Sequence, residues 1–284
     1  MTKQMKNRFG YVALLGATNA GKSTLLNALT AEKVAIVSRK VQTTRWPIRG
    51  IVNSGEVQIC FIDTPGVFEA KGAFDRRMVS AAWSAMDQAD AVLFVLDAMK
   101  GMTPTFKRVV EKLGTLGTPI ALVLNKVDAM KKPALLELTS KIAAEHGALF
   151  DEIFMVSSLK NDGLNKVLAW AAAKMPPREW EFESGLSTDA SLDERLAELT
   201  REQVYEFLHQ ELPYGIAVRT ESIEGRIVRQ TIITNEKKHK AIILGAQGAM
   251  IRRIGERARA EMADLLGGPT SLFLEVEVDR EWKA

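Results

Sequence analysis

A mainly parallel α/β sheet with helices on both faces, followed by a smaller α+β domain, is the architecture this 284-residue chain predicts. Three observations carry it. Strand-like and helix-like periods alternate as far as residue 174 or so. A glycine-rich loop, Gly16-Ala17-Thr18-Asn19-Ala20-Gly21-Lys22-Ser23, directly follows the apolar run at 11–15. After a break in the pattern, the rest of the chain reads helix, strand, strand, helix, paired-glycine turn, helix, strand.

In the first part, apolar runs near 10–15, 47–53, 57–62, 91–97, 119–124 and 151–156 read as strands, with helical periods between most of them. Such alternation favours a parallel sheet buried on both faces, whose ligands sit beyond the carboxyl ends of the strands. Residues 175–191 then break the pattern with Pro176-Pro177, several acidic residues and a Gly-Leu-Ser-Thr stretch. This predicts a linker at 176–191 between domains at 1–175 and 192–284. Trp180 and Phe182 within it can still pin it to a surface.

The loop at 16–23 fits the phosphate-cradling pattern G-x-x-x-x-G-K-[ST]. Its glycines let the backbone turn its N–H groups inward, Lys22 can reach terminal phosphates, and the Ser23 hydroxyl can hold Mg²⁺. The helix that opens there adds the positive end of its dipole. A glycine turn before an ordinary helix is the plainer reading, and it would need no partner motifs elsewhere in the chain. Three such motifs are present. The strand at 57–62 delivers Asp63-Thr64-Pro65-Gly66, where the carboxylate can bind Mg²⁺ through water and the Gly66 N–H can meet a γ-phosphate. The strand at 119–124 delivers Asn125-Lys126-Val127-Asp128. A carboxylate there can accept two hydrogen bonds from guanine, in a pattern adenine cannot supply. After the run at 153–156, Ser157-Ser158 can offer backbone N–H groups to the guanine carbonyl, although a serine pair there also suits an ordinary loop and helix cap.

These four motifs resemble the signature set of the small GTPases, the P-loop GTPase fold, over about the first 175 residues. The resemblance implies GTP and GDP as ligands and Mg²⁺ as cofactor, with Ser23, Asp63 and one of Thr43 and Thr44 at the metal. Lys40-Val41-Gln42-Thr43-Thr44-Arg45 looks like the first switch segment of the translation-factor-related GTPases, and the choice between its threonines stays open. Threonines in an edge strand are the alternative reading. Ras-like enzymes place a water-orienting glutamine where this chain has Val67, a side chain with no hydrogen bond to give. Asn19 occupies the loop position that resembles the K⁺ ligand of several glutamine-lacking GTPases, so K⁺ joins the expected cofactors; an asparagine that merely tightens the loop is the alternative. Lys22, Thr44, Gly66 and Asn19 are the residues expected to carry catalysis.

Composition agrees. Apolar residues make up 46% of the chain and charged residues 26%, ordinary for a globular protein long enough for two cores. The lone cysteine, Cys60, lies in an apolar strand, which excludes a disulfide framework within the chain and favours a reducing, intracellular compartment. No apolar segment of signal length comes after Lys3, Lys6 and Arg8, and no run is long enough to span a bilayer.

The C-terminal part opens with an amphipathic helix at 193–211, then strands at 215–221 and 227–235 and a helix at 238–244. Gly245-Ala246-Gln247-Gly248 breaks the chain before a helix at 249–265 and a strand at 271–278. This order resembles the type II KH fold, in which the G-x-x-G turn lets a nucleic-acid backbone approach two helices. Charge is uneven: residues 178–211 carry three basic and ten acidic side chains, residues 219–259 ten basic and four acidic. Lys237, Lys238, Lys240, Arg252 and Arg253 can neutralise phosphates beside the turn, against the plainer reading of a solvated helix face. Ala246 and Gln247 are uncharged where related domains often carry a basic residue.

A P-loop GTPase joined to a type II KH domain resembles the Era family of bacterial GTPases of small-subunit ribosome assembly, over essentially the whole chain. The resemblance implies a GTP-hydrolysing switch that binds 16S ribosomal RNA near its 3′ end and acts on the small ribosomal subunit. It further implies a cytoplasmic monomer, peripheral at the inner membrane when it meets a membrane. A P-loop kinase or ATPase is disfavoured by the motif at 125–128, and an inert GTPase domain by intact Lys22, Ser23 and Asp63.

Overall fold

The computed structural model describes residues 7–37, 47–66, 73–208 and 216–280, with backbone alone at 73–78 and 81. Thr43, Thr44 and Val67 lie outside the described residues. The chain divides into two compact units, Met1–Ala35 with Val41–Asp189 and Ile36–Lys40 with Ala190–Ala284.

The first unit runs β1 (Arg8–Gly16), α1 (Lys22–Thr30), β2 (Ile48–Ser54), β3 (Val57–Asp63), α2 (Ala73–Asp87), β4 (Ala91–Asp97), α3 (Pro104–Leu113), β5 (Ile120–Asn125), α4 (Lys132–His146), β6 (Glu152–Val156) and α5 (Leu164–Lys174). Its six-stranded sheet has the order β2-β3-β1-β4-β5-β6. Every neighbouring pair is parallel except β2 with β3. All seven residues of β4 are buried, as expected of an interior strand covered on both faces. Side chains alternate across the sheet, so Val12 and Leu14 of β1 join a core with Leu25 and Leu26 of α1 and Trp170 of α5. Ala13 and Leu15 join the opposite core, with Phe106 and Val109 of α3 and Ile142 of α4.

The stretch that reads as a linker is bonded to this unit as far as residue 189. Phe9 N–H of β1 donates to the Pro176 carbonyl, and Ile51 N–H of the edge strand β2 donates to the Ser187 carbonyl. Thr188 Oγ1 donates to the Arg49 carbonyl at 2.7 Å. Gln58, wholly buried in β3, accepts from the backbone N–H groups of Glu181 and Phe182 and donates to the Phe182 carbonyl. Trp180 Nε1 donates to the Glu56 carbonyl, and the Phe182 ring meets Phe9 edge-on at 6.0 Å. Both aromatics therefore fasten the stretch, and it covers one edge of the sheet.

The second unit holds α6 (Leu192–Phe207), β7 (Ile216–Glu224), β8 (Ile227–Thr234), α7 (Lys237–Leu244), α8 (Ala249–Leu265) and β9 (Ser271–Val278). Ser191 and Glu194 form a capping box at the start of α6. The helix expected over 193–211 ends earlier, at Phe207: Leu208 caps it with non-helical backbone (φ −96°, ψ 83°), its N–H donating to the Val204 carbonyl. The sheet order is β7-β8-β9, antiparallel at the first pair and parallel at the second. Val204, Ile216, Ile232, Ile243, Ile254 and Val276 form its main core, drawn from every helix and strand of the unit. This is the mixed α+β order expected from the sequence.

Candidate functional site

The carboxyl ends of the parallel strands carry the four motifs. β1 ends at Gly16, where a Cβ would collide with the Val95 carbonyl of β4. The loop then needs left-handed backbone at Asn19 (φ 62°) and Gly21 (φ 93°), and a Cβ on Gly21 would strike the Asn125 amide. α1 opens immediately afterwards at Lys22. Lys22 is buried, and its Nζ donates to the carbonyls of Gly16 (3.2 Å) and Ala17 (3.3 Å). Burial lowers its pKa, and the nearby Asp63 opposes that shift. A desolvated ammonium beside a helix N-terminus suits an anion, which would replace those carbonyls as its partner.

β3 brings Asp63 to the same place. Asp63 is fully buried, and its Oδ2 accepts from Ser23 Oγ at 2.6 Å. A hydroxyl and a carboxylate held together are hard oxygen donors of the kind Mg²⁺ takes, alongside phosphate oxygens and water. Thr64 Oγ1 donates to the Leu14 carbonyl at 2.7 Å, which fixes the turn after β3 to β1. A Cβ on Gly66 would come within 2.9 Å of the Thr18 backbone, so the segment Asp63-Thr64-Pro65-Gly66 lies directly against the phosphate loop.

Asn125 joins three loops. Its Nδ2 donates to the Ala20 carbonyl at 3.1 Å, while its Oδ1 accepts from Lys126 N–H, Ser158 N–H and Ser158 Oγ. Val127 and Asp128 come next, in a short 3-10 turn. Asp128 Oδ1 accepts from Ser157 Oγ at 2.6 Å, so the carboxylate and the serine pair face one another. Ser157 is itself clamped by reciprocal backbone bonds with Asp162. Gly16 to Ser23, Asp63 to Gly66, Asn125 to Asp128, and Ser157 with Ser158 are thus gathered at one end of the sheet. Asp97 belongs there too, although no motif in the sequence points to it: its Oδ2 accepts from Lys126 Nζ at 2.8 Å. A lone acid at the carboxyl end of an apolar strand was the available signal.

The second unit offers a different surface. Gly245 (φ 69°) caps α7, and a Cβ there would lie 2.7 Å from Met250 Cβ and 2.9 Å from its backbone nitrogen. Gln247 and Gly248 also take left-handed backbone, forming the tight 3-10 turn that starts α8. Ala246 and Gln247 are exposed at its tip. Beside α7 and the edge strand β9 runs a groove of about 650 Å³, lined by Thr231, Lys237, Lys240, Ala241, Glu275 and Glu277 among others. Lys238 pairs with Glu236 at 2.8 Å, Arg252 is exposed, and the Arg253 guanidinium lies 4.8 Å from the Phe207 ring.

Lys22 ties this geometry to stability. Its pKa is lower folded than unfolded, so between those two values the folded chain binds fewer protons, and stability rises with pH. Below both values the burial penalty is fully present. Because the net shift disfavours the charged form, Lys22→Met is expected to make the ligand-free chain more stable at pH 7 and to flatten the alkaline rise. Urea unfolding across pH 7–10 measures both.

Residues 11–126 match the family profile described as 50S ribosome-binding GTPase, and residues 203–283 match the KH domain. The chain is 43% identical over 284 residues to GTPase Era of Bradyrhizobium sp. (strain ORS 278), covering 98% of this chain and 92% of that one. It is 45% identical over 280 residues to GTPase Era of Afipia carboxidovorans, covering 97% and 90%. Among solved structures it is similar to Era in complex with MgGDPNP and nucleotides 1506–1542 of 16S ribosomal RNA, at a TM-score of 0.90 and 34% identity, over 97% of this chain and 95% of that one. A variant of Aquifex aeolicus Era bound to GDP and AlF4⁻ matches with the same values. With both halves matched in tandem and identity of 43–45% sustained along nearly the whole of each relative, this chain belongs to the GTPase Era family.

Proposed function

We propose that this GTPase is a GTP-controlled RNA-binding switch in small ribosomal subunit assembly, holding 16S ribosomal RNA near its 3′ end. The observation that carries the reading is the pairing of two sites: guanine and phosphate motifs gathered at one sheet end of the first unit, and a G-x-x-G turn beside a lysine-lined groove in the second. The similar Era structure that holds both MgGDPNP and 16S nucleotides supports it. In this reading residues 1–175 bind GTP, 176–191 connect, and 192–284 bind RNA.

The backbone of Gly16 to Ser23 cradles the phosphates, and Lys22 exchanges its two carbonyl partners for phosphate oxygens. Ser23 and Asp63, with Thr43 or Thr44, would hold Mg²⁺, which neutralises charge on the β- and γ-phosphates. Gly66 N–H meets the γ-phosphate from the segment packed on Thr18. Asp128 accepts from guanine while Ser157 Oγ fixes its carboxylate, and Ser158 holds the Asn125 amide. Asp128→Asn should therefore weaken GTP by roughly 2–4 kcal/mol and favour xanthosine triphosphate. Competition binding with the two nucleotides checks it, and unchanged GTP affinity would sink the base assignment.

Phosphates of the RNA pass the turn at Gly245, Ala246, Gln247 and Gly248, neutralised by Lys237, Lys238, Lys240, Arg252 and Arg253. Gly248 gives the cleaner test, because a Cβ there meets nothing nearer than Ile251 Cγ2 at 3.9 Å and aspartate tolerates left-handed backbone. Gly248→Asp should lower affinity for a 16S 3′-end oligonucleotide by about tenfold or more while GTP hydrolysis without RNA is kept. Retained RNA affinity in the folded variant contradicts the assignment.

Val67 supplies no water-orienting amide; the Asn19 side-chain amide would help hold a K⁺ ion, which would supply the extra positive charge beside the phosphates. Asn19 is set in left-handed backbone with its carbonyl held by Lys126 Nζ at 2.6 Å, which fixes the residue in the loop. Hydrolysis should be faster in K⁺ than in Na⁺ at equal ionic strength, a preference that Asn19→Ala removes. Equal rates in the two salts refute this role. The same reading makes the protein a cytoplasmic monomer whose membrane contacts are peripheral; among the described residues no helix is long and apolar enough to cross a membrane.

A further inference from the structure

Asp97 lies at the carboxyl end of β4, in register with Asn125 on β5. Its side chain is only 8% exposed and both oxygens are used. Oδ1 accepts from the Met99 N–H at 3.0 Å, which stops the carboxylate from rotating, and Oδ2 takes Lys126 Nζ at 2.8 Å. The same Nζ donates to the Asn19 carbonyl at 2.6 Å. Lys126 itself sits in left-handed backbone (φ 65°), and its Cε passes 3.8 Å from where a Cβ of Gly21 would stand. The lysine stem is thus stretched across the phosphate loop, with its head held at the far side.

Lys126 is a long side chain with four rotatable bonds and a half-exposed surface, so a single carbonyl would hold it weakly. We propose that Asp97 is the positioning residue that locks Lys126 across the phosphate loop, so that the base loop and the phosphate loop hold one nucleotide as a unit. This role rests on the proposed nucleotide site and adds to it a residue that touches no ligand. Asp97 acts only through Lys126. Because the pair is part-exposed, it adds little to global stability. Its effect falls on how tightly the two loops stay closed over a bound nucleotide, where supporting groups commonly matter by about tenfold or more.

The test compares the full chain with Asp97→Asn, Lys126→Met and the double variant. Asparagine keeps the size of the side chain and the oxygen that accepts from Met99, and puts an NH2 donor in place of the charged acceptor that faces Lys126. Dissociation of a fluorescent GDP analogue, chased with excess GDP, should be about tenfold faster in Asp97→Asn. The melting temperature without nucleotide should stay close to that of the parent. The double variant should release the analogue no faster than Lys126→Met alone. Unchanged dissociation in Asp97→Asn, or effects that multiply in the double variant, would overturn the assignment. Failure of the unaltered chain to bind the analogue would instead overturn the nucleotide site on which it rests.

Discussion

The side chain of Asn125 is the constraint on which the nucleotide site depends. A buried carboxamide must have its hydrogen bonds satisfied, and this one finds its partners on three separate loops: Ala20 in the phosphate loop, Lys126 in its own, and Ser158 after β6. None of those loops is regular structure, and each alone would sample many conformations. Joined through one amide at the end of an interior strand, they share a single arrangement. An unsatisfied buried amide costs about 1–3 kcal/mol, so loss of any one partner disturbs the others as well.

Around that amide the site is built from charges whose burial is unfavourable by itself. Lys22 is desolvated and borrows two carbonyls, Asp63 is desolvated and borrows the Ser23 hydroxyl, and Lys126 leans on Asp97. These are the groups that stand to gain most from a phosphate, a divalent cation and a purine base. The apolar sheet meets the cost of holding them: β4 and β5 are buried from end to end, and Phe94 stacks on Phe106 beneath the loop with centroids 5.4 Å apart. A rigid strand end can carry a strained loop that a flexible segment could not.

The second unit's turn and groove obey a different logic. Their distinguishing feature is backbone exposure: a turn with three positive-φ residues, two of them glycines without a side chain, lets a phosphodiester chain come close to two helices. Basic residues gather on α7 and α8, whereas β9 contributes Glu275 and Glu277 to the groove. The groove therefore has one wall suited to phosphates and another with acceptors and the backbone of an edge strand.

The sequence by itself determined the order of elements, the family and the residues of the four loops, because each rests on local chemistry. Glycines are needed where backbone approaches backbone, as at Gly16, Gly21 and Gly245, and apolar runs of strand length are needed where both faces are covered. The stretch at 176–189 was legible as a break in periodicity with two aromatics, Trp180 and Phe182, able to pin it to a surface. Part of its attachment depends on Gln58, a polar residue inside an apolar strand that bonds Glu181 and Phe182, more than a hundred positions away. Asp97 showed only as a lone acid at the end of an apolar strand, which by itself does not distinguish it from a solvated strand end. Only the tertiary structure, by pairing β4 with β5 in register, brings that carboxylate to Lys126 and gives it a task.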